Sequence, residues 1–304
     1  MLLAEAYIAT GVTRFQRGDL VAGCEQLQAC FELYEPEKHG AQVHLYGQDP
    51  GVFSLSYIAW GSWFFGYPER AVAQIEQAVR MARDIRHPYS LMLALTFAGR
   101  IHYCRRDAQA VATLVEETIA VCSEHHFPYY LAQANIQRGW AWTRMGHEAK
   151  GISEMRRGMS GLSATGTALG RAGAFIQLAE AYDAAGFAED ALGVLDEAAD
   201  STSSSGSRYW DAEIARLRGV VALSLNPSAT QQAKKCFSEA MEIARGQSIR
   251  SFELRSAMDL ARLWQSEGKN KAAFDLVSNI YNWFEEGFDT ADLQAAKALL
   301  NELA

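Results

Sequence analysis

Two short stretches of this chain set histidines beside acids: Glu124-His125-His126, and the run from Glu35 and Glu37 through His39 and His44 to Asp49. A third, Gly166-Thr167-Ala168-Leu169-Gly170-Arg171, is rich in small residues. Imidazoles beside carboxylates can hold a metal ion, and a glycine-rich loop can cradle phosphate. Neither chemistry is completed here. Adjacent histidines on a helix point in different directions, so His125-His126, just before Phe127-Pro128, reads as surface or as a helix cap. His39 and His44 lack an i, i+4 partner that would fix a coordination geometry. The glycine stretch has neither the spacing nor the lysine of a phosphate loop. No G-x-S-x-G elbow is present, and the serine runs have no activating neighbour. The expectation is a protein that is not an enzyme, with no catalytic residues, no cofactor and no metal.

The elements around these residues must therefore carry another function. The chain has 304 residues and a formal net charge of −8, and its basic residues come as short interruptions such as Arg105-Arg106 and Lys234-Lys235. A nucleic-acid binder normally concentrates basic charge on one face, so no nucleic-acid partner is expected. No apolar run reaches the roughly 18 residues of a membrane span, and MLLAEAYIATGVTRF carries an acid where a signal peptide needs a basic start. A cytoplasmic protein without membrane contact is expected. The five cysteines (Cys24, Cys30, Cys104, Cys122, Cys236) form no C-x-x-C pair and read as reduced helix-interior residues.

A repeat of about forty residues organises the chain. A small residue is followed seven positions later by a turn residue in Gly11/Gly18, Gly61/Pro68, Gly139/Gly146, Ala179/Gly186, Gly219/Asn226 and Ala261/Gly268, and more weakly in Gly99/Arg106. Twelve positions after each small residue comes another compact one: Gly23, Ala73, Val111, Gly151, Ala191 and Ala273, with Ala233 slipped by two. Glycine inside a helix costs about 1 kcal/mol relative to alanine. Its recurrence at a fixed phase implies that two helices of a hairpin approach closely there.

With an aromatic four before the small residue, an apolar residue directly before it and an aromatic three after, the phase resembles the tetratricopeptide signature. Tyr57, Trp60, Gly61 and Phe64 fit it, as do Phe175, Leu178, Ala179 and Tyr182. The predicted fold is all-α, a tetratricopeptide-like superhelical solenoid of about seven helical hairpins with a C-terminal capping helix. As a single domain over 1–304, its hairpins span roughly 3–33, 52–84, 88–122, 129–162, 169–199, 209–245 and 252–284, with a cap over 290–303. The run Ser201-Thr202-Ser203-Ser204-Ser205-Gly206-Ser207 reads as a loop between repeats.

Several words along the chain go further. His44-Leu45-Tyr46-Gly47-Gln48-Asp49-Pro50-Gly51, Gly66-Tyr67-Pro68-Glu69-Arg70-Ala71, His87-Pro88-Tyr89-Ser90-Leu91, Arg138-Gly139-Trp140-Ala141 and the stretch from Trp283 to Leu293 resemble the helical C-terminal region of bacterial ATPase/adenylate-cyclase-like regulators. In that family a cyclase or DNA-binding domain often precedes a nucleotide-binding switch ATPase, with the tetratricopeptide array last. The resemblance implies a sensor or interaction arm, either excised from such a regulator or a stand-alone relative, with an associated ATPase or cyclase domain as a partner. It transfers no activity, because no phosphate loop is present.

What remains is surface recognition. In a stack of hairpins the first helices line the concave side, and helical geometry places Phe15, Ile58, Phe65, Arg100, Tyr103, Trp140 and Arg144 of the early repeats there. Glu180, Asp183, Glu213, Arg216 and Arg262 follow in the later repeats. The expectation is a groove for a protein or peptide, aromatic at one end and charged at the other; the alternative is that these positions pack against one another as core. Tyr46, Gln48 and Asp49, in the longest departure from the period, are loop candidates for a partner, with Asp49 also readable as an N-cap before Pro50. Arg138 and Arg218 stand where the pattern expects an apolar residue, so each should find an acid, Arg218 in Glu213 or Glu180, or else hold an anionic ligand. The favoured function is a non-catalytic scaffold or regulatory arm of a bacterial signalling protein. The rival is a module that senses a small ligand and regulates an associated ATPase or cyclase. Oligomeric state is not encoded in these patterns.

Overall fold

The computed structural model describes residues 2–36 and 43–304, apart from the side chain of His44. Glu37 and His39 lie outside the described residues. The chain forms two compact units, one of Met1–Trp63 with Glu69–Thr167 and the other of Phe64–Pro68 with Ala168–Ala304. Both are built from antiparallel helix pairs.

Unit 1 contains helices α1 (Leu2–Gln16), α2 (Leu20–Glu32), the single turn α3 (Val43–Tyr46), α4 (Pro50–Phe64) and α5 (Pro68–Ile85). It continues through α6 (Pro88–Cys104), α7 (Ala108–Glu124), α8 (Pro128–Arg144) and α9 (Glu148–Ala164). Proline opens α4, α5, α6 and α8, where its missing N–H would be unpaired anyway. Asp49 caps α4 by accepting the Val52 N–H at 2.8 Å, and its second oxygen accepts the Tyr34 hydroxyl at 3.0 Å. His87 caps α6 and Asp107 caps α7, each accepting a backbone N–H three residues on.

The second helix of each pair buries one stripe at intervals of four, three and four residues, the spacing of a single helical face. The stripe reads Gly23, Leu27, Cys30 in α2; Ala71, Ile75, Ala78, Ala82 in α5; Val111, Val115, Thr118, Cys122 in α7; and Gly151, Met155, Gly158, Leu162 in α9. First helices after α1 are buried nearly all round, as in α6, where every residue from Met92 to Gly99 is covered, whereas α1 buries the single stripe Ala4, Ile8, Gly11 and Phe15. The small residues act as the sequence implies. A Cβ built on Gly139 would lie 2.6 Å from the Gly151 carbonyl oxygen, and one on Gly151 would lie 2.5 Å from that of Gly139. Gly11 and Gly23 face each other in the same way in the first pair.

One hairpin corrects the expected phase. Helix α4 ends at Phe64, only three residues after Gly61, whereas α1 and α8 run five residues beyond Gly11 and Gly139. The repeat position in α4 is instead Ala59, fully buried, followed seven residues later by Gly66 at φ 93° and twelve later by the buried Ala71. Ala73 is exposed. Expected inner-face positions in this hairpin therefore move back by two, from Ile58 and Phe65 to Ser56 and Trp63, and Trp60 takes the place directly after the small residue.

Unit 2 contains α10 (Arg171–Ala184), α11 (Ala188–Ser205), a 3-10 turn (Arg208–Trp210), α12 (Asp211–Leu225), α13 (Thr230–Gly246), α14 (Arg250–Ser266), α15 (Asn270–Tyr281) and α16 (Ala291–Leu303). Its second helices repeat the stripe, with Ala191, Leu195, Ala198, Thr202 in α11 and Ala233, Phe237, Ala240, Ala244 in α13. The serine run is thus helical as far as Ser205 rather than a loop. Thr202 continues the buried stripe, and the Thr202 and Ser205 hydroxyls donate to the carbonyls of Ala199 and Ser201 at 3.0 and 2.6 Å. Gly206, at φ 74°, ends the helix. The expected cap is α16, whose Leu293, Ala296, Leu299 and Leu303 join Leu260, Ala261, Val277, Ile280 and Phe284 in one apolar cluster. Phe64, the last residue of α4, counts with this unit, and its ring meets those of Tyr209, Trp210 and Phe252 with centroids 5.9, 6.1 and 5.5 Å away.

Among the described residues no helix is long and apolar enough to cross a membrane, and no group of three His, Cys, Asp or Glu side chains could hold a metal ion. All five cysteines are free thiols. Burial pushes the Cys122 thiol up to about 12, and burial followed by the Glu25 charge does the same to Cys24. His125 and His126 are exposed, with His126 at φ 58° in the turn that ends α7.

Candidate partner-binding face

In unit 1 the inner-face rings pack on one another. Phe15 stacks on Trp60 with centroids 5.4 Å apart and meets Tyr57 edge-on, while the Arg100 guanidinium lies 5.3 Å from the Trp60 ring and 5.0 Å from that of Phe97. Tyr103 meets Trp140 edge-on at 4.9 Å. Neighbouring first helices approach closely enough for their rings to touch, an arrangement that adds about 0.5–1.5 kcal/mol per pair beyond burial. Phe15, Ile58, Tyr103 and Trp140 are each no more than 7% exposed. These four take the packing alternative, and a partner does not reach them in this conformation. Arg100 and Phe65 are half-buried, and Arg144, at the end of α8, is exposed.

The loop candidates divide. Asp49 is fully buried as the cap of α4, and its charge, after burial itself, raises the Tyr34 phenol well above its usual range. Tyr46 is exposed and Gln48 half-buried.

In unit 2 the inner-face positions form a chain of alternating charges. Asp292 accepts from Arg255 at 2.8 Å; Arg255 approaches Glu213 at 3.4 Å; Glu213 holds Arg216 through two bonds of 2.8 Å. Arg216 donates onward to Asp259 at 2.7 Å, and Asp259 accepts from Arg262 at 3.2 Å. The local sequence explains the register. Glu213 and Arg216, like Asp259 and Arg262, stand three apart on one helix, where side chains are neighbours. Burial alone would lower the Arg216 pKa, but the charges of Glu213 and Asp259 outweigh it and hold the guanidinium well above its ordinary value. Glu213, Arg216 and Arg255 are buried, while Arg262 is half-exposed at the open end of the chain.

Arg262 and Asp259 also line a groove of about 430 Å3 between α12, α13 and α14, whose apolar wall is Val220, Leu223, Phe237 and Leu263. Val220 and Leu223 follow Gly219 by one and four residues and Arg262 follows Ala261 by one, the offsets of Trp140 from Gly139 and of Phe15 from Gly11, so all three are at positions that the repeat phase assigns to the inner face. Glu180 and Asp183 of α10 are half-buried, and one Asp183 carboxylate oxygen is buried without a hydrogen-bond partner among the described residues.

The two arginines that break the repeat pattern find acids. Arg138 donates to Glu154 at 2.6 Å and approaches Glu116 at 3.4 Å. Arg218 pairs with Asp196 at 2.6 Å, not with Glu213 or Glu180. Glu213 is already held by Arg216 and Arg255. Asp196 precedes Arg218 by the same 22 residues that separate Glu116 from Arg138, so the bridge to the preceding repeat recurs two repeats on. Comparing the two arginines at equal offsets would have found it in the sequence.

No family model matches the chain. An uncharacterised protein of Rhizobium meliloti (strain 1021) is 22% identical over 242 residues, which is 79% of this chain but only 23% of that relative's length. Among solved structures, a Rap protein complexed with competence and sporulation factor aligns at a TM-score of 0.66 and 13% identity, over 100% of this chain and 77% of that one. The Rap conjugation gene regulator of plasmid pLS20, in complex with the Phr* peptide, aligns at 0.64 and 10%, over 98% and 73%. NprR in complex with its cognate peptide NprX aligns at 0.60 and 13%, over 98% and 82%. At such identities the likeness speaks for the fold, which is an all-α, tetratricopeptide-like helical repeat.

Proposed function

We propose that this chain is a non-catalytic regulatory arm that recognises a peptide or protein segment along the α12–α14 groove. The observation that carries this reading is the pairing of an accessible apolar wall with a half-exposed Arg262 at inner-face positions. Asp259 is shared between Arg216 and Arg262, so the outer guanidinium is only partly neutralised. An apolar side chain on Leu223 and Val220 with a carboxylate beside Arg262 is the complement. Peptides present in two solved structures of this fold are in keeping with the reading. The associated ATPase or cyclase implied by the resemblance is the regulated partner within this proposal.

A peptide chosen from a random display library against the whole chain tests it. Its affinity, read by fluorescence polarisation, is expected to fall about tenfold on Arg262→Ala or Leu223→Ala, equivalent to about 1.4 kcal/mol, with little change in melting temperature. Unchanged affinity in both variants would sink the groove. The rival reading, sensing of a small ligand, is favoured by a separate apolar cleft between α7, α8 and α9.

A further inference from the structure

Arg138 and Arg218 each border a cleft between consecutive hairpins. In unit 1 the cleft has a volume of about 730 Å3 and is lined by Ile119, Pro128, Leu131, Ala132 and Ala164, together with Arg138 and Arg157. The matching cleft of unit 2, between α11, α12 and α13, has about 390 Å3. The linings fall at equivalent repeat positions: Ala199 stands for Ile119, Asp211 for Leu131 and Arg218 for Arg138. Past the two-residue slip, Glu239 stands for Arg157 and Ile243 for Gly161. Stacking of hairpins thus makes the cleft, and its side chains decide what it can hold.

Two differences single out unit 1. Gly161 puts no side chain where unit 2 carries Ile243, and a Cβ there would press on Ala132 at 3.3 Å. Charge differs as well. Arg138 and Arg157 share one buried carboxylate, Glu154, at 2.6 and 2.5 Å, and the exposed Glu116 reaches Arg138 only at 3.4 Å. Arg157 remains 61% exposed. Apolar walls with a few converging polar groups, in a volume of roughly 300–1,000 Å3, are the usual make-up of a small-molecule site.

We propose that the α7–α9 cleft binds an apolar monocarboxylate, a medium-chain or aryl-alkyl acid, with its chain on the apolar lining and its carboxylate on Arg157. A guanidinium with one shared partner can still donate a pair of charge-assisted hydrogen bonds to a carboxylate. An amine would face two cations, and a second acid group would meet Glu154. The site deepens the small-ligand reading and does not depend on the α12–α14 groove.

Calorimetric titration of the whole chain with octanoate, octylamine and 1-octanol tests it. Octanoate is expected to bind at least about tenfold more tightly than either control. Arg157→Gln should bring octanoate to the level of 1-octanol, and Gly161→Ile, which copies unit 2, should weaken both. Equal binding of octanoate and 1-octanol, tighter binding of octylamine, or no binding would overturn the proposal. Octanoate binding unchanged in both variants would also overturn it, while leaving the broader small-ligand reading intact.

Discussion

Glu213→Ala is expected to lower stability by about 3–5 kcal/mol, the cost of removing one partner from a buried ion pair. Glu213 is the hinge of the charge chain in unit 2: it accepts two bonds from Arg216 and faces Arg255, and all three side chains are buried. Without it, two guanidinium groups lie close together out of water, with Asp259 and Asp292 at the outer ends. Urea denaturation measures the effect. Glu285→Ala, at an exposed position with no ion pair among the described residues, should fall within about 0.5 kcal/mol of the parent. A loss below about 1 kcal/mol for Glu213→Ala would mean that water reaches the pair.

The second prediction is one of sign. Alanine in place of helical glycine normally stabilises by about 1 kcal/mol, and Gly193→Ala in α11, where a Cβ would meet nothing within 4 Å, should do so. Gly139→Ala should do the reverse. Its Cβ would lie 2.4 Å from Met155 Cγ, 2.6 Å from the Gly151 carbonyl oxygen and 2.9 Å from the Met155 nitrogen. Two of these atoms are backbone and cannot step aside, so α8 and α9 must separate. Overpacking of this kind costs about 1–3 kcal/mol, occasionally more. Thermal denaturation of the two variants should therefore move in opposite directions. A stabilised Gly139→Ala would refute close packing as the reason for the repeat phase.

Much of the fold was legible because the small residue and its turn are local signals repeated along the chain. The error in α4 shows the limit. Ala59 and Gly61 are both small, and both precede a turn-forming residue by seven positions, so sequence alone does not separate Ala59/Gly66 from Gly61/Pro68. The end of α4 at Phe64 does. Ser201 to Ser205 misled for a different reason: serines favour loops by propensity, but Thr202 falls on the buried stripe and tertiary packing prevails.

The site was less legible than the scaffold. Phase puts Phe15, Tyr103 and Trp140 on the concave side of first helices, but whether such rings stay open or pack on one another depends on the separation of adjacent helices, which residue spacing does not encode. The charge chain was visible only as separate candidates Glu213, Arg216 and Arg262. Arg255, six residues before Ala261, also falls on the inner face by phase, but its partner Asp292 lies in α16, which the repeat does not register against α14.

The central claim, recognition of a peptide segment at the α12–α14 groove, is tested most directly by photo-crosslinking. A benzophenone side chain at Ser224, an exposed position lining the groove, is irradiated with the display-selected peptide bound to the whole chain. The groove reading predicts covalent capture of the peptide from position 224, lost when unlabelled peptide competes. Full peptide binding with no capture from that position would contradict it.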